Sequence, residues 1–360
     1  MMRDTPVTRR RFLAGATGLA ASLGGCISTS PQPPGQVGGG SAGGGSDIAS
    51  LRAGGSSTVF PVVQRGASYW VSNYATTDRE YWGPTQYGIS TDQRLADYWA
   101  GLYGFEADDD VSPPYEVSVG LSHSGTGLER LRNGQIDIGN ASASAAAEFP
   151  EASEEELADF TNHVVAVDAQ PIVVSTEVYD AGVTKLTAEQ VRGIYQGEIS
   201  QWSEIPSYEG PEREIQAVGR SEGSGTDTAF RSNMLGDPNA TMSVDARKGQ
   251  NQQVKTTVAN SNNAIAYMAL AFVDDSVPAI ELEFDGTTYT PGENLSDPSY
   301  PLARDLHCYT WDGTSKKEAA FLRMILSDFG QQNFVEPEGY SPLTDDRQTE
   351  QFDALPEPET

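Results

Sequence analysis

The segment Ala217-Val218-Gly219-Arg220-Ser221-Glu222-Gly223-Ser224-Gly225-Thr226-Asp227-Thr228-Ala229-Phe230 restricts the folding choices of this chain more than any other. It reads as the end of a strand from Ile215 to Val218, then an arginine, then a glycine-rich turn leading into a helix that begins near Asp227. A turn of that kind aims backbone N–H groups at one point where the helix dipole is positive, which suits an anion. Arg220 adds full charge and a planar fork of donors that matches an oxyanion, and Glu222 is placed to brace the fork. The nucleotide-binding P-loop is excluded, because Thr226 follows Gly225 where that motif needs lysine. Taken alone, the turn is also compatible with a plain Gly/Ser loop capping a helix.

At 360 residues the chain is long enough for two ordinary domains. A formal net charge of -28 argues against nucleic acid as a partner, since there is no basic patch to release counterions. Lysine is confined to Lys185, Lys248, Lys255, Lys316 and Lys317, while Asp and Glu run throughout. That balance suits a hydrated acidic surface in strong salt, where screening removes most self-repulsion. A salt-loving source is the expectation.

The N-terminus reads as an export signal. Thr8-Arg9-Arg10-Arg11-Phe12-Leu13 carries a twin arginine, and the apolar run from Leu13 to Leu23 is too short for a permanent membrane span. It closes on Leu23-Gly24-Gly25-Cys26, which resembles the lipobox of exported lipoproteins; Cys26 is the expected lipid attachment point, giving residues 1–25 as signal. Residues 26–47, rich in Ser, Pro and Gly, read as a flexible tether. The expected location is the outer face of the cytoplasmic membrane. Cys308 then has no disulfide partner in the mature domain and reads as a core thiol.

The same turn chemistry recurs along the chain. Gly55-Ser56-Ser57-Thr58-Val59-Phe60-Pro61 precedes an apolar stretch of helical character, and Ser122-His123-Ser124-Gly125-Thr126-Gly127 follows the alternating strand Tyr115 to Leu121. Ile136-Asp137-Ile138-Gly139-Asn140 is a short strand ending in the small-residue turn Ala141-Ser142-Ala143-Ser144. Four strand-turn-helix units with Ser or Thr at the joint are characteristic of α/β sheets, where ligands bind beyond the carboxyl ends of the strands. Between them, Ala75 to Pro114 is polar, aromatic and acidic and reads as a surface insertion, with a helix around Gln93 to Leu102. Its Asp108-Asp109-Asp110 run lacks the alternating ligand spacing of a calcium loop and reads as a solvated turn. Capping pairs at Ser153/Glu156, Thr187/Gln190 and Ser315/Glu318 place three further helix starts. The acidic tail beyond Leu343 reads as disordered.

Together these motifs resemble the substrate-binding proteins of phosphate ABC uptake systems. The resemblance rests on Gly55 to Pro61, Ser124 to Gly127, Ile136 to Gly139, Leu186 to Trp202, Arg220 to Thr226 and Asn263 to Tyr267, in the family's order, and it reaches Gly339-Tyr340-Ser341-Pro342-Leu343. It implies an α/β chain with a two-domain periplasmic-binding-protein-like fold of type II. Domain I would comprise residues 48–168 plus 273–345 and domain II residues 169–272, with an acidic tail over 346–360 and the ligand in the cleft. The crossings between domains are expected near Asp168 and Phe272.

Carried over residue by residue, the resemblance implies phosphate ligands at Ser57, Thr58 and the backbone of Val59, and at Ser124 with Gly125 and Thr126 as N–H donors. Arg220, Ser224, Gly225 and Thr226 fall on the far side, with Glu222 in place of the aspartate that braces the arginine. Ser142 stands where many members carry an acidic residue that accepts the proton of hydrogen phosphate and repels sulfate, so rejection of sulfate is left open. The implied partners are inorganic phosphate, an ABC permease pair and, through Cys26, the membrane; no cofactor and no metal are implied, and the chain is expected to be a monomer.

Other readings stay open from sequence. One is a binder of sulfate, molybdate or tungstate on the same loops, and another a tethered sensor without a transporter. A third is an exported phosphatase or hydrolase using Ser124 or Ser224, although no Gly-x-Ser-x-Gly elbow is present. His123, His163 and His307 do not form a spaced metal set.

Overall fold

Strand β1 (Leu51–Gly55) is followed by β2 (Val117–Leu121), β3 (Ile138–Ala141), β4 (Phe160–Ala169), β5 (Ile172–Val174) and β6 (Lys185–Thr187). The chain continues with β7 (Gln216–Arg220), β8 (Ala246–Lys248), β9 (Ala264–Tyr267), β10 (Glu281–Phe284), β11 (Thr287–Tyr289) and β12 (Ala303–Trp311). These come from a computed structural model that describes residues 49–106, 111–295, 297 and 299–359. The expected signal, Cys26 and the tether up to residue 47 lie outside the described residues, as does the Asp108–Asp110 run.

Five strands form one sheet in the order β2-β1-β3-β12-β4. β1 pairs in parallel with both β2 and β3, because the helices Phe60–Ser72 and Ser124–Arg132 carry the chain back across the sheet after each strand. The carboxyl ends of β1, β2 and β3 therefore share one edge, and the turns at Ser56, Ser122 and Ser142 stand side by side on it. Gly127 lets the second helix sit directly on β1: a Cβ there would lie 2.6 Å from Gly55 Cα and 2.8 Å from Gly54 O. The core beneath holds Trp70, Phe321, Phe329 and Phe334 from the helices Phe60–Ser72 and Lys316–Leu326 and the turns after the latter.

A second α/β layer is built on β5-β9-β7-β8, with β7 parallel to β8 and β9. Its core gathers Val191, Ile194 and Tyr195 of the helix Ala188–Gln196 with Trp202, Phe230 and Tyr267. The Thr187/Gln190, Ser153/Glu156 and Ser315/Glu318 capping boxes are all formed. A small sheet, β11-β10-β6, extends this lobe. Its hairpin turns on Asp285 and Gly286, both at positive φ (47° and 80°), the Asp-Gly geometry that matches strand twist.

Among the described residues, two stretches of backbone carry the chain from one lobe into the other. β4 leaves the first sheet at Ala169, and β12 re-enters it at Ala303, paired with Ala169. Gln170 N–H donates to Leu302 O at 3.0 Å, so the two crossings are themselves hydrogen-bonded. The return expected near Phe272 is thus displaced: Ile280, Leu282, Tyr289, Leu295, Tyr300 and Leu302 all pack in the second lobe's core, because β10 pairs with β6. Residues near Phe272 also pack against the first lobe, with Ala269 buried in its core, Ala271 and Phe272 against it, and Leu270 N–H donating to Asp168 Oδ1 at 3.0 Å, but the chain then returns to the second lobe.

Two other expectations are corrected. Residues 75–106 and 111–114 are not a surface insertion, because Trp82, Leu95, Ala96, Trp99 and Tyr103 are buried in the first lobe's core. The aromatic rings that made this stretch look irregular are its anchors; Trp82 meets Phe329 edge to face at 5.1 Å and donates its indole N–H to Gln93 O at 3.0 Å. The segment after Leu343 is ordered as the helix Asp345–Asp353, capped by Thr344. Gln348, Phe352 and Leu355 fall on one face at helical spacing, with Gln348 donating to Leu326 O at 2.8 Å and Leu355 buried. Charged residues on the other face dominate the composition and hide that stripe. We expect Leu355→Ala to lower the unfolding free energy in urea by about 2–4 kcal/mol; an unchanged midpoint and slope would show that the tail does not dock.

Candidate functional site

The shared edge of β1, β2 and β3 faces the turn after β7, and the polar groups of the two lobes meet there. Arg220, the last residue of β7, is 1% exposed. Its Nε donates to Lys248 O at 3.1 Å, Nη1 to Asn251 Oδ1 at 2.7 Å, and Nη2 to Gly249 O at 2.8 Å and to Ser57 Oγ across the cleft at 3.2 Å. Every acceptor is neutral. Arg220 makes no ion pair among the described residues, whereas nearby Asp227 is held by Arg231 at 2.7 Å and faces Arg247 at 3.5 Å. Asp227 also accepts the Tyr267 hydroxyl, which in turn receives Arg220 N–H at 3.2 Å. Burial pushes the guanidinium down to about 10, well above neutral pH, so it stays charged.

Glu222 does not brace it. That side chain is exposed on the turn, and Asn251, the first residue of the helix Asn251–Ala259, does the holding. Asn251 Oδ1 accepts from Arg220 while Nδ2 donates to Thr58 Oγ1 at 3.0 Å and Ser57 Oγ at 3.3 Å. An amide can do both at once; a carboxylate can only accept.

A second guanidinium enters from the crossing strand. Arg304 of β12 is bound to Asp168 of β4 by Nε at 2.9 Å and Nη2 at 2.7 Å, directly opposite in the strand register. It also donates to Thr58 Oγ1 at 3.2 Å, to Gly225 O at 3.2 Å and to Ser142 O at 3.4 Å. Burial pushes the Asp168 carboxyl up and Arg304 pulls it back. The pair cancels in charge, so Arg220 remains the uncompensated one.

Of the residues singled out from sequence, Ser57, Thr58, Ser124, Ser142, Arg220, Gly225 and Thr226 converge. Ser124 Oγ accepts from Gly225 N at 3.2 Å and from Ser142 N at 3.2 Å. Thr58 Oγ1 lies 3.1 Å from Thr226 Oγ1, and since its two lone pairs serve Asn251 and Arg304, its proton goes to Thr226. Ser56 donates to Ser142 Oγ at 2.9 Å. Each of Ser57, Ser124, Ser142 and Thr226 accepts a hydrogen bond, and among the described residues none of their protons is committed to a partner. The cluster is a set of donors. Val59 and Ser224 are buried N-cap residues of the two flanking helices, and Ser224 makes no side-chain cap bond.

Two expected amide donors are placed differently. Gly125 N–H already reaches Gly223 O across the cleft at 3.2 Å, and Thr126 is exposed on the solvent side of its helix. Ser56, Asn251, Asp168 and Arg304 join the site without having been singled out as ligands. Ser56 had a signal, its place in the Ser-Ser-Thr turn. The others had none, because each belongs to a segment that reads as ordinary strand or helix.

His123 is half-buried, with Nδ1 unpartnered among the described residues, and its ring packs against Gly249. Burial first, and Arg220 second, push its imidazole below the usual value. No histidine hydrogen-bonds Ser124 or Ser224 among the described residues: His163 pairs with Thr314 and His307 with Asn162, and burial pushes each to about 4. No helix among the described residues is long and apolar enough to cross a membrane.

A family model for the PBP superfamily domain matches residues 88–328. Among curated proteins, the chain is 29% identical over 238 residues to the phosphate-binding protein PstS of Bacillus subtilis, covering 65% of this chain and 73% of that one. It is 26% identical over 250 residues to PstS of Staphylococcus saprophyticus, with 66% and 75% covered. Among solved structures, one from Clostridium perfringens described as a putative phosphate ABC transporter substrate-binding protein with bound phosphate aligns with a TM-score of 0.60. Identity is 23%, and the alignment covers 82% of this chain and all of the other. An ABC-type phosphate transport receptor from Vibrio cholerae aligns with a TM-score of 0.53 at 22% identity, covering 81% of this chain and all of that one. These structural likenesses speak for the fold.

Asp168→Ala strands the Arg304 charge in the interior, and we expect it to cost about 3–5 kcal/mol of unfolding free energy. Glu222→Ala, on the exposed turn, should stay within about 0.5 kcal/mol of the parent in the same urea titration; a large loss there would restore the bracing role.

Proposed function

The chain belongs to the PBP superfamily, and we propose that it binds inorganic phosphate outside the cytoplasm and delivers it to an ABC import permease. One observation carries the reading: Arg220 is a buried guanidinium with no anionic partner among the described residues, reaching across the cleft to the Ser57 hydroxyl. Burying a charge without a counter-charge is costly, and an oxyanion placed there supplies one. The phosphate-binding relatives support phosphate as the ion.

In this reading Ser57, Thr58, Val59, Ser124 and Ser142 serve from the first lobe and Arg220, Ser224, Gly225 and Thr226 from the second. The lobes act as the two domains, divided at residues 169–172 and 302–303. They close on the ion by a hinge at the paired crossings Gln170 and Leu302. Two short segments bonded to each other bend more easily than either sheet, and closure exchanges water for fixed donors around the ion. The acidic surface does not oppose anion capture, because remote carboxylates are screened within roughly 10 Å at ordinary salt, while Arg220 acts by contact. The twin-arginine segment and Cys26 support export and lipid anchoring, and the acidic composition supports a saline setting. The role is binding, with no chemical step.

Calorimetric titration with phosphate, sulfate and molybdate in high-salt buffer tests this. One-to-one phosphate binding is expected. Arg220→Ala should weaken it a hundredfold or more, since a buried charge-assisted contact contributes on the order of 3 kcal/mol. Binding of another oxyanion in preference would reassign the ligand, and near-normal phosphate affinity in Arg220→Ala would move the site elsewhere.

A further inference from the structure

Glu148 is an ionisable group that the anion site does not use. It ends the short helix Ala145–Glu148, just beyond Ser142, and this helix packs against Gly225–Phe230 of the second lobe. Its Oε1 is shut off from solvent and has no hydrogen-bond partner among the described residues. Its Oε2 lies against Gly125, where an added Cβ would stand 3.1 Å away. Gly125 N–H and the Thr228 side chain both act on the carboxyl. Gly125 belongs to the first lobe and Thr228 to the second, so this carboxyl lies in the seam that closes when the two helix starts meet.

We propose that Glu148 is a positioning residue of the anion site, a latch that closure buries between Gly125 and Thr228 and that closes in its neutral, protonated form. The proposal rests on the reading of anion capture by lobe closure. Opening the seam returns the carboxyl to water and to its usual 4.5, while in the closed arrangement burial pushes it up to about 7, with Thr228 and Gly125 offsetting only part. Asp227 across the seam adds to the rise and Arg304 of β12 opposes it, both more weakly than burial. Glu222 and Arg231 border the same seam, Glu222 exposed and Arg231 tied to Asp227. Arg132, Glu151 and Glu156 line the groove on its other side and are exposed. The buried Tyr309 phenol is pushed up to about 12 and stays neutral.

The direction of the linkage follows. A carboxyl whose value is higher in the closed form makes closure take up a proton. Its contribution to affinity is full below about 4.5, is lost progressively as the pH rises toward 7, and changes little above that.

The test is phosphate titration of the full chain and its Glu148→Gln variant between about pH 5 and pH 8. Glutamine keeps the shape and cannot ionise. The ratio of wild-type to variant Kd should grow by on the order of a hundredfold across this range. In buffers of different ionisation enthalpy near pH 6, the wild type should take up close to one proton more per phosphate bound than the variant. Phosphate's own ionisation and that of His123 are common to both proteins and cancel. A ratio that stays flat with pH, together with equal proton uptake, overturns the latch. If the variant melts early at pH 5, the wild type decides alone: uptake no greater than phosphate's ionisation supplies overturns it too. A wild type that binds no phosphate at any pH, by contrast, removes the anion reading itself.

Discussion

A single unpaired charge organises this molecule. Arg220 is withdrawn from water and surrounded by carbonyl, amide and hydroxyl oxygens, none of which can neutralise it. Such a group is tolerated in a folded protein when many hydrogen bonds spread its field and when something outside the chain completes it. Both conditions shape what surrounds it. Asn251 orients the fork without cancelling its charge, and the one carboxylate close by, Asp227, is already committed to Arg231, Arg247 and Tyr267. Had Asp227 been free, it would have satisfied Arg220 internally and left no reason to bind an anion.

The second guanidinium shows the complementary use of charge. Arg304 is fully paired with Asp168, and its remaining donors reach Thr58, Ser142 and Gly225, which come from both lobes. Because Asp168 and Arg304 sit opposite each other on the two crossing strands, the crossings and the Thr58, Ser142 and Gly225 turns share one knot. A neutral buried pair adds geometry without adding field. One arginine therefore supplies charge and the other supplies position.

Much of this was legible from residue order. Each Ser/Thr-Gly turn marked a strand end, the three capping boxes marked helix starts, and the Arg220 turn marked a strand leading into a helix, because these are local devices whose chemistry is complete within a few residues. The Asp285-Gly286 hairpin carries an equally local signal for pairing β10 with β11, but it is the remote parallel pairing of β10 with β6 that draws residues up to Leu302 into the second lobe. The tail helix was masked for a different reason. Its inward face is only Gln348, Phe352 and Leu355, and acidic composition outweighs it until Gln348 is seen to bond Leu326 O and Tyr103 to bond Pro356 O.

The α/β class, the hydroxyl-bearing turns and the arginine at the end of β7 are all readable from residue order. These depend on spacing and residue type within short windows, where the backbone hydrogen bonds close locally. It took the packed lobes to show that Asn251 rather than Glu222 holds Arg220, that Arg304 reaches Thr58 and Gly225, and that the Glu148 carboxyl lies against Gly125. Each of those outcomes joins residues that strand pairing brings together from distant parts of the chain, and burial, which sets their charge states, exists only once the lobes are packed.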